Sequence, residues 1–432
     1  MIFHEYVAKG SVRGRDGTSI SNVADNLHDV TREVSSRCRS GTYRFTTYRQ
    51  RLLLKGAGKA PRELSIPSVR DRITLRAYAE LLTATFPESA GKLPQTAVAQ
   101  VAAEVATGKL NAYVRIDVKN FYPTVNHDIL LAELGTKIKK KEVLRVVRRA
   151  VATPTAPDRS PRPRALLTSG VPQGLSISNP LAEIYMRPVD KTMGAIPGIS
   201  YHRFVDDILI LCDHVDAQVV DEVCRKALKA VHLDAHPKES SGKSEVGNVA
   251  DGFGYLGYVF SSTIVSVRHA SVVRLESHLA SIHATWRQDL ARNVQPEIAF
   301  QRFLWNRNLA ITGCIFQGTA TGWIQYYRQL DDYSLLKRLD VTVNRLAMRY
   351  GVPEHPRPKT FMRAYWIIRH PRSRSTRYIP NFDRYELAQM AEELKNTGTN
   401  LVGMSDQQVE DAFYRMVSRA VRDLERDIGD VS

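Results

Sequence analysis

From Tyr113 to Val118 apolar and polar positions alternate, which predicts a strand with one buried face. A second strand-like stretch, Tyr201 to Leu211, is interrupted by Asp206-Asp207 and predicts two short strands around a tight turn. Helical spacing places one helix over about Asp128 to Leu134, another from near Ser176 past Met186, and a third over about Asp216 to Val231. Upstream, Asp71 to Leu82 predicts a helix, and Ile66-Pro67 an extended segment, because the residue before proline is biased away from helix. Gly252 to Val267 predicts a pair of strands, and the Pro- and Arg-rich residues 152–165 a loop. After Ala270 helical periodicity takes over. Leu336, Leu339, Val343, Leu346 and Tyr350 share one face. The last helix opens on a capping box, Ser405 with Gln408, and carries the stripe Val409, Phe413, Met416, Ala420 and Leu424.

These elements describe a mixed α+β portion followed by a helical one. At 432 residues the chain is too long for one small core and implies two or three packed units. Charge changes the picture more than composition does. Lys and Arg total 61 against 45 acids, a net charge of +16, which favours a polyanionic partner such as nucleic acid. A merely basic soluble protein fits the same number. Cys38, Cys212, Cys224 and Cys314 lie far apart, which argues against a zinc site or disulfide framework and fits a reducing cytoplasm. No apolar run reaches the ~18 residues of a membrane span, and Met1 to Gly10 lacks a signal-peptide core.

Three stretches carry candidate chemistry. In Phe204-Val205-Asp206-Asp207 two acids sit where a hairpin turn would present them to solvent at a sheet edge. Carboxylates that close repel unless a cation lies between them, and hard oxygen ligands select Mg²⁺ or Mn²⁺. An ordinary Asp-Asp turn is the plainer reading. Arg115-Ile116-Asp117-Val118 ends a strand on an acid, followed by Phe121-Tyr122-Pro123. Alone, Asp117 reads as a turn residue; with Asp206 and Asp207 it completes the three carboxylates that a two-metal site needs, its metals about 3.5–4 Å apart. Ser169-Gly170-Val171-Pro172-Gln173-Gly174 leads into Ser176 and Asn179-Pro180, with glycines that let backbone approach a ligand and an amide in Gln173 that can both donate and accept. A loop entering a helix N-terminus needs the same residues.

In this order the three stretches resemble the reverse transcriptase family, over roughly residues 40 to 260. Asp117 with its aromatics, Pro172-Gln173-Gly174 with Asn179-Pro180, and Phe204-Val205-Asp206-Asp207 look like the three palm motifs, with Phe204 where Tyr is usual. Tyr255-Leu256-Gly257 is similar to the primer grip, and Lys55, Arg62, Ile66-Pro67 and Asp71-Arg72 resemble the fingers of bacterial members. The resemblance implies a right-hand polymerase with fingers over 1–110, a ferredoxin-like palm over 111–268 (with a fingers insertion at about 128–168), and a helical thumb with a basic extension over 269–432. It implies two Mg²⁺ ions, replaceable by Mn²⁺, held by Asp117, Asp206 and the Val118 carbonyl, with Asp207 in support. Lys55, Arg62, Gln173 and Gly174 would contact the dNTP, and the Tyr122 ring would exclude a 2′-hydroxyl. Lys238 and Lys243 both fall near the fourth-motif lysine, and a solvated surface lysine describes either equally well.

The expected partners are template RNA, cDNA product and dNTPs, and no membrane. The length and basic C-terminal part look most like retron, group II intron and defence-associated enzymes, and Tyr378-Ile379-Pro380-Asn381-Phe382 is similar to type 2 defence-associated ones. Arg357, Lys359, Arg363, Arg369, Arg372, Arg374 and Arg377 form an acid-free stretch that reads as an RNA anchor, or as a solvated loop. Trp323, Tyr326 and Tyr327 beside Arg328 read as core before they read as a stacking surface. An RNA-dependent RNA polymerase and an RNA-binding, maturase-like scaffold are the alternatives; Tyr122 weighs against the first and the three intact acids against the second.

Overall fold

The computed structural model describes residues 1–8, 12–53, 60–91, 93–158, 165–238, 243–353, 358–370 and 378–428. The chain divides into two compact units, Met1–Leu93 with Leu110–Asn248, and Pro94–Lys109 with Val249–Val431.

In the first unit the strands are β1 (Tyr48–Leu53), β2 (Arg62–Ile66), β3 (Ala112–Asp117), β4 (Thr155–Ala156), β5 (Ser200–Phe204), β6 (Asp207–Cys212) and β7 (Glu245–Asn248). Four of them form an antiparallel sheet in the order β5-β6-β3-β7. With the helices Ser178–Gly194 and Ala217–Ala230 as crossovers, this is a βαββαβ arrangement of ferredoxin-like kind. Every residue of β6, an interior strand of the sheet, is buried. Val114, Ile116, Ile208 and Ile210 share a core with Leu181, Tyr185 and Val189 of one helix and Val220, Cys224 and Leu228 of the other.

The sequence-predicted loop over 152–165 contains a strand. Thr155-Ala156 pairs in parallel with Tyr48-Arg49, completing a small sheet β2-β1-β4. Pro154 does not prevent this, because its carbonyl, which proline keeps, accepts from the Tyr48 N–H at 3.0 Å. The Thr155 and Ser65 hydroxyls bond at 2.6 Å. Asp71, buried at the start of the helix Val69–Thr85, accepts from the Tyr43 hydroxyl (2.7 Å) and the Thr46 N–H (3.0 Å). Arg72 Nε donates to the Pro67 carbonyl at 3.2 Å. Asp71-Arg72 thus ties the segments flanking β1 and β2 together.

The second unit contains β8 (Phe253–Tyr255), β9 (Tyr258–Phe260) and β10 (Val265–Val267) as one antiparallel sheet, so the expected pair of strands is a trio. A hairpin of β11 (Cys314–Phe316) and β12 (Thr319–Thr321) and long helices make up the rest, among them His269–Ala291, Pro296–Thr312, Tyr333–Arg349, Phe361–Arg369 and Asp406–Ile428. The Ser405 N–H donates to Gln408 Oε1 at 2.8 Å and the Gln408 N–H to Ser405 Oγ at 3.4 Å, the expected capping box. Trp323 and Tyr327 are fully buried, which makes both core residues. No helix among the described residues is long and apolar enough to cross a membrane.

Candidate active site

A two-residue turn, Val205-Asp206, closes the β5–β6 hairpin, with Phe204 paired to Asp207. Val205 has φ +58, a conformation a β-branched residue adopts only under constraint. Arg203 supplies that constraint. Its Nη1 donates to the Val205 carbonyl (3.0 Å), while Nε and Nη2 grip both oxygens of Asp190 (2.7 Å each) and Nη2 also reaches Glu183 (2.8 Å), both on the helix Ser178–Gly194. The strained turn is thereby fixed to the helix behind it. β6 lies inside the sheet, so the expectation of two acids presented at a sheet edge is corrected: Asp206 occupies the turn and Asp207 is the first residue of a buried strand.

The main chain brings Asp117 and Asp206 together. Asp117 ends β3, and the next N–H, of Val118, donates to the Asp206 carbonyl at 3.3 Å. Burial, opposed by a bond to its own backbone and joined by the negative charges of Asp117 and Asp207, pushes the Asp206 carboxyl up to about 6. Asp117 and Asp207 are direct cross-strand partners, and Arg115 is two residues back from Asp117, so all three share one sheet face. Arg115 turns Asp207 inward: Nε lies 3.1 Å from Oδ1 and Nη2 3.0 Å from Oδ2, in a pair almost wholly buried.

A carboxyl at Asp206 that resists ionisation, hard oxygens and an adjacent main-chain carbonyl at Val118 fit a divalent cation at Asp117 and Asp206. Asp207 fits less well, since both its oxygens are engaged by Arg115. Among the described residues no cluster of three or more His, Cys, Asp or Glu is gathered as a metal cage. Of the two candidate lysines, Lys243 reaches the site, with Nζ 3.8 Å from Asp117 Oδ2 and 2.9 Å from His236 Nε2. Lys238 instead pairs with the buried Asp221 at 3.0 Å.

Beside the acids, Tyr122 is half-buried and its hydroxyl donates to Asn179 Oδ1 at 2.8 Å. Burial and the charges of Asp206 and Glu183 push the phenol up to about 12, while Arg62 pulls it down. The charge of Arg62 also lowers the Asp206 carboxyl, so it acts on both the acid and the ring. The glycine-bearing loop packs on the same turn: the Val171 N–H donates to the Tyr122 carbonyl (2.8 Å), and the Gln173 carbonyl accepts from the Ser65 N–H of β2 (2.7 Å). Gly170, at φ +87, lies where a Cβ would come within 2.9 Å of the Pro123 carbonyl. Lys55 lies outside the described residues.

In the second unit Leu256 (φ 48) and Gly257 (φ 80) form the turn between β8 and β9, with Tyr255, Leu256 and Gly257 buried. The Tyr326 hydroxyl donates to the Leu256 carbonyl at 3.1 Å. Of the basic stretch, Arg357, Arg372, Arg374 and Arg377 lie outside the described residues. Arg363 and Arg369 are exposed. Lys359 is turned inward, donating to the Tyr378 carbonyl at 2.8 Å, and burial lowers its pKa to about 8. Sequence reasoning gave no role to Arg115, Arg203 or His236. The visible signal for Arg115 was a cation within the otherwise apolar Ala112–Ile116 run.

A model of the reverse transcriptase (RNA-dependent DNA polymerase) family matches residues 54–260. Over that stretch, just under half of the chain, the sequence is similar to reverse transcriptases, RNA-directed DNA polymerases of the nucleotidyltransferase class. Among curated proteins nothing matches the sequence. Among solved structures the chain is similar to telomerase from Candida albicans in complex with a fragment of telomeric RNA, at 11% identity and TM-score 0.46 over 89% of this chain and 63% of that one. It is also similar to apo telomerase from Candida tropicalis, at 12% identity and TM-score 0.45 over 90% and 74%. The chain therefore spans less than two thirds of the Candida albicans telomerase chain.

Proposed function

We propose that this chain is an RNA-templated DNA polymerase working by two-metal nucleotidyl transfer. The observation that carries the reading is the convergence of Asp117, Asp206, Tyr122 and Arg62 within a domain of matching family. In the reaction the primer 3′-oxygen forms a bond to the α-phosphorus of a dNTP as the bond from that phosphorus to the β-bridging oxygen breaks, releasing pyrophosphate. Asp117, Asp206 and the Val118 carbonyl would hold two divalent cations, Mg²⁺ by the hardness of the ligands. When bound, these ions supply a more acidic attacking hydroxyl and neutralise charge on the leaving group. Arg62, with Lys55, would pair with the triphosphate, and Gln173 and Gly174 would line the nucleotide's path. Tyr122, braced by Asn179, would stand under the sugar, and Tyr255-Leu256-Gly257 would steady the primer.

The reading extends to a dedicated structured non-coding RNA as template, supported by exposed Arg363 and Arg369 in the acid-free stretch. A role in anti-phage defence rests on the resemblance at Tyr378–Phe382 alone. The deciding experiment supplies labelled dNTPs or NTPs with an RNA template and annealed primer. Mg²⁺-dependent dNTP incorporation by the wild type, lost in Asp206→Asn, is expected. Incorporation of NTPs instead would establish an RNA polymerase, and incorporation of neither a scaffold.

A further inference from the structure

Within the second unit, the helix Phe361–Arg369 buries Phe361, Ala364, Tyr365, Ile367 and Ile368 and leaves Arg363, Trp366 and Arg369 exposed, one helical turn apart. This outer face borders a groove of about 820 Å³, whose walls include Arg328, Tyr333 and His370. Trp366 and Tyr333 are each 52% exposed. An indole left that far in water is costly by the measure of its apolar area, about 25 cal/mol per Å². One face of the Trp366 ring is propped by His370, stacked at 4.6 Å and 23°. The exposure therefore belongs to the opposite face and the edge.

Two of the three arginines of the groove are held by neutral groups. Arg363 lies over the Tyr378 ring at 4.7 Å, and Arg369 Nη1 is 3.0 Å from Gln329 Oε1. Among the described residues no carboxylate lines the groove, and no ion pair involves Arg328, Arg363 or Arg369. A flat aromatic face, open and pre-oriented, beside uncompensated guanidinium groups matches a nucleobase beside its own phosphates. It does not match a duplex, whose base faces are already covered by one another.

We propose that this groove is a binding site for single-stranded RNA, with a base stacked on Trp366 and the flanking phosphates on Arg328, Arg363 and Arg369. The proposal rests on the reading that the chain works on RNA, and adds where an unpaired stretch of it is held and by what chemistry. Tyr333, across the groove, offers a second ring to a neighbouring base. The site asks for unstacked bases and no particular sequence, since every base has a π-face.

The test uses the full chain with two probes, a fluorescein-labelled oligo(U) of about 12 nucleotides and a blunt RNA duplex of the same length. Loss of one stacked base should weaken oligo(U) binding about tenfold or more in Trp366→Leu, while Trp366→Phe, which keeps a ring, should lose less than about threefold. Duplex binding should be unchanged in both. Arg363→Ala with Arg369→Ala should flatten the salt dependence of oligo(U) binding by about 0.7 in slope for each phosphate no longer held. The proposal is overturned if Trp366→Leu binds oligo(U) as the wild type does, if duplex binding falls equally, or if Trp366→Phe is no better than Trp366→Leu. Primer extension is scored separately: a chain that binds oligo(U) through Trp366 yet incorporates no nucleotide sinks the polymerase reading alone, and one that extends primers while indifferent to Trp366 sinks the groove alone.

Discussion

Arg115 clasps Asp207 at two points inside the sheet, so the second acid of the turn is a buried partner before it is anything else. The two acids should then fail in different ways when removed. Asp207→Ala takes the two-point carboxylate partner from a buried guanidinium and should cost about 3–5 kcal/mol of stability. Asp206→Asn removes a carboxylate that the fold already disfavours as an anion, and should leave stability within about 1 kcal/mol while abolishing dNTP incorporation. Urea unfolding of both variants beside an incorporation assay makes the comparison. An Asp207→Ala protein as stable as the wild type would show that the clasp is not structural.

Tyr122 should govern the choice of sugar by its ring and not by its hydroxyl. Tyr122→Phe loses only the bond to Asn179 and should keep the wild-type preference for dNTPs. Tyr122→Ala opens the space and should raise NTP use relative to dNTP by roughly tenfold or more. Competition between labelled dCTP and CTP on one template measures the ratio. If the ratio in an active Tyr122→Ala enzyme does not move, selection lies elsewhere.

Gly170 combines φ +87 with a Cβ position 2.9 Å from the Pro123 carbonyl. Gly170→Ala should therefore cost about 1–3 kcal/mol and loosen the turn that carries Tyr122. Chemical denaturation reads the first effect, and a rise in KM for dNTP with little change in template affinity reads the second.

The last helix, Asp406–Ile428, is pinned to the helix His269–Ala291 by His278 Nδ1 and Asp427 Oδ2 at 2.7 Å. Burial lowers the His278 pKa, but the hydrogen bond and charge of Asp427 outweigh it and the net shift is upward; Asp423 adds to it. A histidine raised in the folded state contributes stability that is full below its unfolded value and is lost as pH rises through the folded one. Asp427 is itself raised, chiefly by burial, so its ionisation on raising pH adds nothing in the opposite sense. Backbone exchange in Asp406–Ile428 should thus speed up beyond its intrinsic rate as pH rises above about 6.5. His278→Gln should remove that extra dependence, and a wild-type profile in the variant would discard the pin.

The helices Val69–Thr85, His127–Gly135, Ser178–Gly194, Ala217–Ala230, Tyr333–Arg349 and Asp406–Ile428 and the β3, β5 and β6 strands are readable from the sequence because periodicity, caps and breakers are local signals. Asp117 and Asp206 were readable as candidates for the same reason. The clasp was not: Arg115 and Asp207 lie 92 residues apart, and only the β3–β6 register decides that Asp207 faces the arginine. Arg203 escaped notice likewise, since its role is set by the helix Ser178–Gly194 behind the turn. The inward turn of Lys359 depends on Tyr378, 19 residues further along, and in the sequence it was one cation among several.

The small sheet β2-β1-β4 also bears on the order in which the protein can be built. Tyr48, at the start of β1, donates its hydroxyl to the carbonyl of Ala150, 102 residues further on, and pairs with Thr155 beyond it. A chain growing from its N-terminus therefore passes through a long interval in which β1 and β2 exist without β4. Through that interval they are at most a two-stranded ribbon, marginal in water, with one edge open to whatever strand arrives first. The short β4 closes that edge only after β3 has been synthesised, though before the crossover helix Ser178–Gly194, so the speed of translation across residues 67–154 sets how long the nascent protein is exposed to mispairing.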